Sequence, residues 1–294
     1  MAQHPEAYHP GDSIAINRAY LDSLLVEGRI LGAEQPSTEI RLFGETFGTP
    51  IMTAALSHLN LKGMARGAAE AGALVSIGMG SNEEMADVLS TGAKVMKIIK
   101  PYADTEEIIS RISFAKEHGA VAVGMDVEHS VSRTSADADV VAGIPMKLPT
   151  LEELKRYIEL SGLPFFIKGA LSVRDAKAAR DLGCAGVILS HHNGMMRYAV
   201  PPIRLLRPIR EAVGRDLILI VDGGMEDGVD AFKALALGAD LVTVGKAVMG
   251  PLQENGSDGV RDKILEMTRE MQNMMIRTGT KDLEHMDPTV IWNA

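Results

Sequence analysis

The sequence predicts an α/β protein folded as a closed (β/α)8 TIM barrel with a short N-terminal helical segment. Short apolar runs rich in β-branched residues recur eight times along the chain, and most are followed by a segment with helical spacing. Strand–helix alternation of this kind requires parallel strands joined by crossover helices. Eight units of roughly 20–25 residues are what a closed barrel needs, and the G-x-G-x-x-G fingerprint of the competing dinucleotide-binding fold is missing.

The eight expected strands are as short as barrel strands usually are. They cover residues 50–53, 73–77, 94–98, 120–126, 164–168, 186–189, 217–221 and 241–244. We expect helices at residues 82–91, 105–117, 150–160, 173–182, 202–213 and 228–237, and a final barrel helix at 258–277. Ser81 and Ser172 stand where helix N-caps belong, and a glycine marks five of the helix-to-strand joints.

Two segments fall outside the repeating units. Residues 1–48 are expected to form an N-terminal helical cap on the barrel. Residues 127–149, which follow strand 4, are polar and rich in Ser and Asp, so we expect a lid loop over the active site. No internal boundary is evident, and residues 1–294 are therefore interpreted as a single domain.

Composition limits the classes of function. The 294 residues carry a net charge of −9, which argues against a surface for nucleic acid or anionic membrane. The single Cys184 excludes a disulfide framework and a cysteine-rich metal site, so no metal is expected, and one thiol fits a reducing cytoplasm. The first residues are not expected to form a signal peptide, and the longest apolar runs are only of strand length.

Unusual polar residues stand at the carboxyl ends of five consecutive predicted strands. They are Asp126, Lys168, Ser190-His191-His192, Asp222-Gly223-Gly224 and Gly245-Lys246. Active sites of such barrels lie on that rim, so this clustering predicts an enzyme site. The glycine turns after strands 7 and 8 allow backbone amides to approach a phosphate closely, and Lys246 adds a positive charge.

The segment at residues 187–202 is the most informative stretch of the chain. It begins as a buried strand, breaks into His191 and His192, and continues through an Asn-Gly turn to Arg197. Histidine suits proton transfer near neutral pH, and adjacent residues leaving a strand diverge. From the residues alone, either histidine can be the catalytic one. Lys168 at the end of FFIK favours function over a surface role, whereas Asp126 can also cap the turn that follows it.

Together these motifs resemble the FMN-dependent α-hydroxy-acid oxidising family, which includes glycolate and lactate oxidases, over roughly residues 40–290. The strand-6 signature of that family reads S-N-H-G-x-R-Q, and here residues 190–196 read SHHNGMM. FIKGA around Lys168, GMDV around Asp126 and the DGG and VGK turns also match. On that register His192 is the catalytic base and His191 replaces an asparagine.

The resemblance implies FMN as the cofactor and a role for each matched residue. His192 removes a proton from the substrate, Asp126 orients it, and Lys168 lies against the flavin, while Arg197 is the candidate for gripping the substrate carboxylate. The implied cofactor-binding residues are Ser76, Lys97, Lys168, Ser190, Asp222, Gly223, Gly224, Gly245 and Lys246.

Some family positions are changed in this chain. The signature arginine falls on Met195, and Arg197 lies two residues later. The family's Q-L-Y motif after strand 3 aligns with residues 97–99, so its active-site tyrosine is lost. Glu226 and Lys246 stand where the family has arginines near the phosphate. The sequence therefore predicts flavin binding more specifically than it predicts the substrate.

Three functions remain open at this point. The first is an FMN-dependent oxidoreductase that oxidises an α-hydroxy acid or related hydroxy-carbonyl compound through His192 and hydride transfer to the flavin. The second is a flavin enzyme of altered chemistry, an isomerase or an oxidase of a larger or sugar-derived substrate. The third is a barrel that binds a phosphate-bearing ligand without catalysis. The expected partners are a small-molecule substrate, oxygen or an electron carrier, and further copies of the chain, as a tetramer by analogy.

Overall fold

The computed structural model describes residues 11–192 and 194–293. Eight parallel strands form one sheet. They are β1 (Ile51–Thr53), β2 (Val75–Ile77), β3 (Val95–Ile99), β4 (Ala122–Asp126), β5 (Phe165–Lys168), β6 (Gly186–Leu189), β7 (Ile218–Asp222) and β8 (Leu241–Val244). Neighbouring strands follow the order β1-β8-β7-β6-β5-β4-β3-β2. Each predicted strand is present, and the predicted (β/α)8 barrel is confirmed.

The helices alternate with the strands along the chain. They are α1 (Ser13–Ser23), α2 (Leu61–Glu70), α3 (Asn82–Leu89), α4 (Thr105–Glu117), α5 (Leu151–Ser161), α6 (Val173–Asp181), α7 (Pro202–Val213), α8 (Gly228–Ala236) and α9 (Lys246–Arg277). The predicted caps are formed, because Ser81 Oγ accepts from the amide of Glu84 and Ser172 Oγ from that of Asp175.

The barrel closes between β1 and β2 through a side chain. The amide of Thr53 donates to Leu74 O at 3.3 Å, and its hydroxyl accepts from Ser76 N at 2.8 Å. The same hydroxyl lies 3.2 Å from Ser76 O, to which it donates. A single parallel bridge between Leu56 and Ile77 continues the seam toward the carboxyl ends. One threonine hydroxyl thus replaces part of the backbone ladder.

Strand alternation divides the apolar side chains into two cores. Inside the barrel, Met52, Leu74, Met96, Phe166 and Ile220 belong to one buried cluster. The side chains on the opposite strand faces pack against the helices in a second, larger cluster. This alternation decides which residues just beyond each strand can face the centre of the carboxyl rim.

A short hairpin closes the opposite end of the barrel. Its strands, Ile40–Leu42 and Glu45–Phe47, pair antiparallel, and Phe47 joins the inner core. Phe43 at its turn meets the ring of Phe166 edge-on, with ring centroids 5.8 Å apart. Because apolar side chains fill this end, the open end of the barrel is the carboxyl rim.

The N-terminal region is less helical than predicted. Of residues 1–48, positions 1–10 lie outside the described residues, and α1 is the only helix in the rest. The segment Leu24–Val26 instead pairs antiparallel with Ile291–Asn293, and the closing hairpin follows. Glycines and Pro36 between these elements limit helix length, and alternating apolar residues favour the short strands.

Two helices also differ from the sequence prediction. Helix α9 begins at Lys246 rather than near residue 258, and Gly256 breaks it with a φ of 59°. Helix α2, which the sequence did not reveal, packs on α9 at Gly67. A Cβ at Gly67 would lie 2.1 Å from Ser257 O, so the close contact with α9 requires glycine at this position. The same glycine weakens the helical pattern of α2 in the sequence.

The predicted lid at 127–149 contains little regular structure. A 3-10 turn, Val127–Ser130, follows β4 directly, and a two-residue hairpin joins Val140–Val141 to Ile144–Pro145. Within the described residues, no helix combines the length and the apolar character that crossing a membrane requires.

Candidate active site

The rim site is centred on one carboxylate oxygen. Asp126 ends β4 and is buried. Its Oδ2 lies 2.9 Å from Lys100 Nζ, 2.9 Å from His192 Nδ1 and 3.5 Å from Lys168 Nζ. Burial alone would raise the pKa of Asp126, but Lys168, His192 and Lys100 hold it well below the usual value. Asp126 is therefore ionised at neutral pH.

Lys168, at the end of β5, is the second fixed charge of the site. Its ammonium is buried, donates to Ser190 Oγ at 3.2 Å and lies 3.4 Å from Asp222 Oδ2. Burial would lower the pKa of Lys168, but Asp126 and Asp222 outweigh it and the pKa is raised. Ser190 also donates to Asp222 Oδ2 at 2.8 Å, and the hydroxyl of Thr243 donates to Asp222 Oδ1 at 2.5 Å. This network holds the cation in place at the rim.

His192 leaves β6 in a left-handed conformation, with a φ of 40°, and its amide donates to Ser190 Oγ at 3.0 Å. Its Nδ1 faces both Asp126 Oδ2 and, at 3.0 Å, Lys168 Nζ. Because Asp126 is ionised, Nδ1 carries the hydrogen and Nε2 keeps the lone pair. Burial lowers the pKa of His192, which leaves the ring neutral and able to accept a proton.

The lid supplies a histidine that the sequence reasoning missed. His129 Nε2 lies 2.8 Å from His192 Nε2, and His129 Nδ1 lies 2.8 Å from Asp139 Oδ2. The two rings meet edge to face, with centroids 4.1 Å apart. The only signal in the sequence was position, since His129 follows the strand-4 aspartate by three residues at the start of the predicted lid.

His191 points away from this cluster. It is buried, and its Nδ1 accepts from the amide of Gly194 at 3.1 Å. Its Nε2 is buried without a hydrogen-bond partner among the described residues, and burial lowers the pKa of the ring. Of the two adjacent histidines, the structure brings His192 to Asp126 and Lys168. Asn193, the next residue, lies outside the described residues.

A cavity of about 270 Å³ opens beside the cluster. Its walls include Ser57, Gly78, Ile98, Lys100, His129 and His192. Lys100 is the second functional candidate that the sequence reasoning missed. Ile98 belongs to the inner core and Ile99 to the outer one, so alternation carries the next inward position to Lys100. In the sequence, the alternation of inward and outward positions along the KIIK run was the signal that could have identified Lys100.

The turn after β7 is held by the N-terminal helix. Gly223 and Gly224 have φ values of 111° and 81°. Asn17 Nδ2 donates to Gly223 O at 3.2 Å, and the guanidinium of Arg18 donates to Gly224 O at 2.9 Å. A Cβ at Gly224 would lie 2.3 Å from Asn17 Nδ2, so this contact requires glycine. Arg18 also forms two hydrogen bonds to the buried carboxylate of Asp230.

The other predicted site residues are placed as follows. Gly245 and Lys246 form the start of α9, with Lys246 exposed at the rim. Lys97 is buried but donates to Gly78 O on the outer side of β3, and the structure does not bring it to the cluster. Burial and Arg111 lower the pKa of Lys97 to about 8. The side chain of Arg197 is exposed, 5.7 Å from the centroid of the Tyr198 ring, and is not brought to the cluster either.

Three potential metal ligands also meet here. Asp126, His129 and His192 each offer an atom within 4.8 Å of the others. Two lysine ammonium groups lie on the same Asp126 oxygen, and their charge opposes that of a cation. The arrangement therefore suits proton transfer better than metal binding.

The fold and this cluster define a barrel enzyme whose rim holds an Asp–His proton acceptor beside a buried cation. The sequence profile of the FMN-dependent dehydrogenase family matches residues 6–149 and 129–293, and the chain belongs to that family. The predicted family and the FMN cofactor are thereby confirmed, as is the predicted function as an FMN-dependent oxidoreductase of the α-hydroxy-acid oxidising class.

Individual relatives agree with this assignment. The chain is 28% identical to an L-lactate oxidase of Lactobacillus jensenii over 304 residues, covering 90% of this chain and 74% of that enzyme. It is 27% identical to a 4-hydroxymandelate oxidase of Amycolatopsis orientalis, covering 92% and 87%. A solved mandelate oxidase mutant with a monooxide FMN adduct superimposes with a TM-score of 0.85, 26% identity and coverage of 95% and 90%.

The residues at the rim fit the cofactor. Ser76 Oγ is buried in the middle of β2, on the inner face of the strand, and has no partner among the described residues. A buried hydroxyl without a partner is available to a polar group of the cofactor. The positive φ values at Gly223 and Gly224 and the buried charge of Lys168 provide the features that a phosphate and a flavin edge require.

Proposed function

We propose that this protein oxidises a 2-hydroxy acid to the 2-oxo acid, with His192 as the base. The observation that carries the proposal is the 2.9 Å contact between Asp126 Oδ2 and His192 Nδ1, next to the buried ammonium of Lys168. Asp126 fixes the ring so that Nε2 presents its lone pair to the cavity, and it stabilises the positive charge that forms when Nε2 takes the hydroxyl proton.

The remaining residues hold the cofactor and the charge of the site. Bound FMN supplies the acceptor for the hydride equivalent removed from the substrate. Ser76, Lys168, Ser190, Gly223 and Gly224 are the residues that we propose hold it. Lys168 keeps a positive charge at the site throughout, because Asp126 and Asp222 raise its pKa.

The choice of a 2-hydroxy acid is supported by the relatives, which are named lactate oxidase and 4-hydroxymandelate oxidase. The Asp126–His192 pair argues against a barrel that only binds phosphate, because holding phosphate needs neither residue. We propose oxygen as the electron acceptor, again because these relatives are oxidases. The substrate then loses two electrons and two protons, which convert oxygen to hydrogen peroxide.

The test is the His192→Ala variant. We expect it to retain FMN and the flavin absorbance spectrum of the wild type. Under anaerobic conditions, lactate or mandelate should bleach the flavin band of the wild type but slow bleaching of the variant by at least about 1,000-fold. A His191→Ala variant serves as the neighbouring control and should still be reduced. Normal reduction of His192→Ala would remove this residue from the mechanism.

We also propose that residues 1–294 act as one FMN-binding domain and that the chain forms a homo-oligomer. Ile30 and Leu31 are exposed, the latter at 98%, and Trp292 is 58% exposed on the antiparallel pair near both ends of the chain. Such side chains are favoured at subunit interfaces. Light scattering on the purified protein measures the mass, and a monomer would contradict the assembly.

We also propose a cytoplasmic location, which the single Cys184 supports because one thiol fits a reducing compartment.

A further inference from the structure

We propose that Lys100 is the residue that binds the carboxylate of the substrate, in place of the arginine that this chain lacks at Met195. The inference rests on the proposed oxidation of a 2-hydroxy acid. It identifies both the chemical class recognised, an anion with a carboxylate next to the reacting carbon, and the residue that recognises it.

The first argument is the placement of charge around the cavity. Among the described residues that line it, Lys100 is the only lysine or arginine. Arg197, the candidate from the sequence, has an exposed side chain beside Tyr198. Lys168 is also buried nearby, but it does not line the cavity, and its ammonium already faces Ser190, Asp222, Asp126 and His192 Nδ1. Within the described lining, an anion entering the cavity therefore meets a lysine ammonium only at Lys100.

The second argument is the unused hydrogen-bonding capacity of Lys100. An ammonium group has three donors, and the single acceptor that Lys100 contacts among the described residues is Asp126 Oδ2, at 2.9 Å. The residue is only 7% exposed, so solvent satisfies the remaining donors poorly. A carboxylate oxygen is the natural acceptor for a buried ammonium in such a position. Burial lowers the pKa of Lys100, and a bound anion would offset that effect.

The third argument is the position of Lys100 relative to the base. The Lys100 ammonium and the His192 ring contact the same oxygen of Asp126. A 2-hydroxy acid carries its hydroxyl and its carboxylate on neighbouring carbons, so the groups that recognise them must also be close. The side chains of Lys100 and His192 line one cavity and meet this requirement.

Three holoprotein variants test this inference. Lys100→Met removes the charge, Lys100→Arg keeps it, and Lys94→Met removes an exposed lysine just before the same strand, where it pairs with Glu45. For each, FMN content and thermal unfolding are checked first. Dissociation constants are then measured from the flavin difference spectrum for pyruvate and benzoylformate and for their uncharged primary amides. The kinetic constants for the corresponding hydroxy acids and amides are measured in parallel.

We expect Lys100→Met to weaken binding of the 2-oxo acids roughly 100-fold and to change binding of the amides less than about threefold. The loss in kcat/KM for the hydroxy acids should appear mainly in KM. Lys100→Arg should restore most of the affinity for the acids, and Lys94→Met should match the wild type.

Two results would overturn the inference. Equal losses for acid and amide mean that Lys100 acts only by positioning Asp126, and unchanged acid binding means that it plays no part. The proposed function fails in a different way, because wild-type flavin would then not be reduced by any hydroxy acid. The 2-oxo acid titration needs no turnover and still decides whether Lys100 binds the carboxylate.

Discussion

His129 Nε2 lies 2.8 Å from His192 Nε2, so a lid residue contacts the atom that must accept the substrate proton. Each ring also faces a carboxylate through Nδ1, Asp139 for His129 and Asp126 for His192. Both Nδ1 atoms therefore carry hydrogen, and the two Nε2 atoms can be hydrogen-bonded only when the pair holds one additional proton. The contact strengthens as the pH falls, and it competes with substrate.

The first prediction is that His129→Phe opens the site. Phenylalanine keeps the ring but has no nitrogen, so His192 Nε2 is free at every pH. Because burial lowers the pKa of His192, we expect KM for the hydroxy acid to rise several-fold in the wild type between pH 7 and pH 5 and to change much less in the variant. Steady-state kinetics across this range measure both. His285→Phe, which removes an exposed histidine paired with Asp282, should behave as the wild type. A higher KM for His129→Phe at both pH values would show that His129 binds substrate.

The second prediction concerns Glu128, whose Oε2 is buried without a partner among the described residues. Burial raises the pKa of Glu128 to about 8, from about 4.5 for a glutamate in the unfolded chain. Between these values the folded protein binds a proton that the unfolded chain releases, so the free energy of unfolding falls as the pH rises from about 5 to 8. Glu128→Gln removes this contribution.

Urea unfolding of wild type and Glu128→Gln at pH 5, 7 and 8.5 checks this prediction. The variant should match the wild type at pH 5 and exceed it at pH 8.5. Glu117→Gln changes an exposed carboxylate at the end of α4 and serves as the control. A constant difference between Glu128→Gln and wild type over this range would exclude a titrating Glu128.

The third prediction concerns the link between α1 and the turn after β7. Arg18→Ala leaves the buried Asp230 without its cation, and we expect a loss of about 3 kcal/mol in the free energy of unfolding. FMN should also dissociate faster, because Arg18 and Asn17 hold the carbonyls of Gly224 and Gly223. Urea unfolding and the release of flavin fluorescence measure the two effects.

A matched variant shows whether the effect is specific to that link. Arg207→Ala removes an exposed arginine that lies 3.7 Å from Glu211, and surface pairs of this kind contribute little. We expect it to stay within about 0.5 kcal/mol of the wild type. If Arg18→Ala behaved in the same way, the contact between α1 and the β7 turn would have no measurable role in stability.

Much of the fold was predictable because its signals are local. A β-branched run marks each strand, most of these runs are followed by a helical pattern, and the polar residues that end five of them mark the rim. Asp126 and Lys168 could be assigned in this way, since the parallel register aligns the end of β4 with the end of β5. The choice of His192 over His191 needed the family register as well, because two adjacent residues leaving a strand carry the same chemistry.

The unpredicted features depend on contacts between distant parts of the chain. Helix α2 carries Gly67 because α9 packs against it, and in the sequence that glycine weakens the helical pattern. Lys100 was missed because an offset of one residue in a strand exchanges inner for outer positions. His129 was missed because the path of the lid decides where its ring lies, and no local pattern encodes that path.

The closure of the barrel at Thr53 and Ser76 has a consequence for following the cofactor in solution. The amide of Ser76 is protected by a threonine hydroxyl, while the hydroxyl of Ser76 is proposed to bind FMN. The hydrogen-exchange rate of this single amide therefore responds both to parting of the two strands and to loading of the site. The exchange rate of this one backbone amide therefore reports both the pairing of β1 with β2 and the binding of FMN.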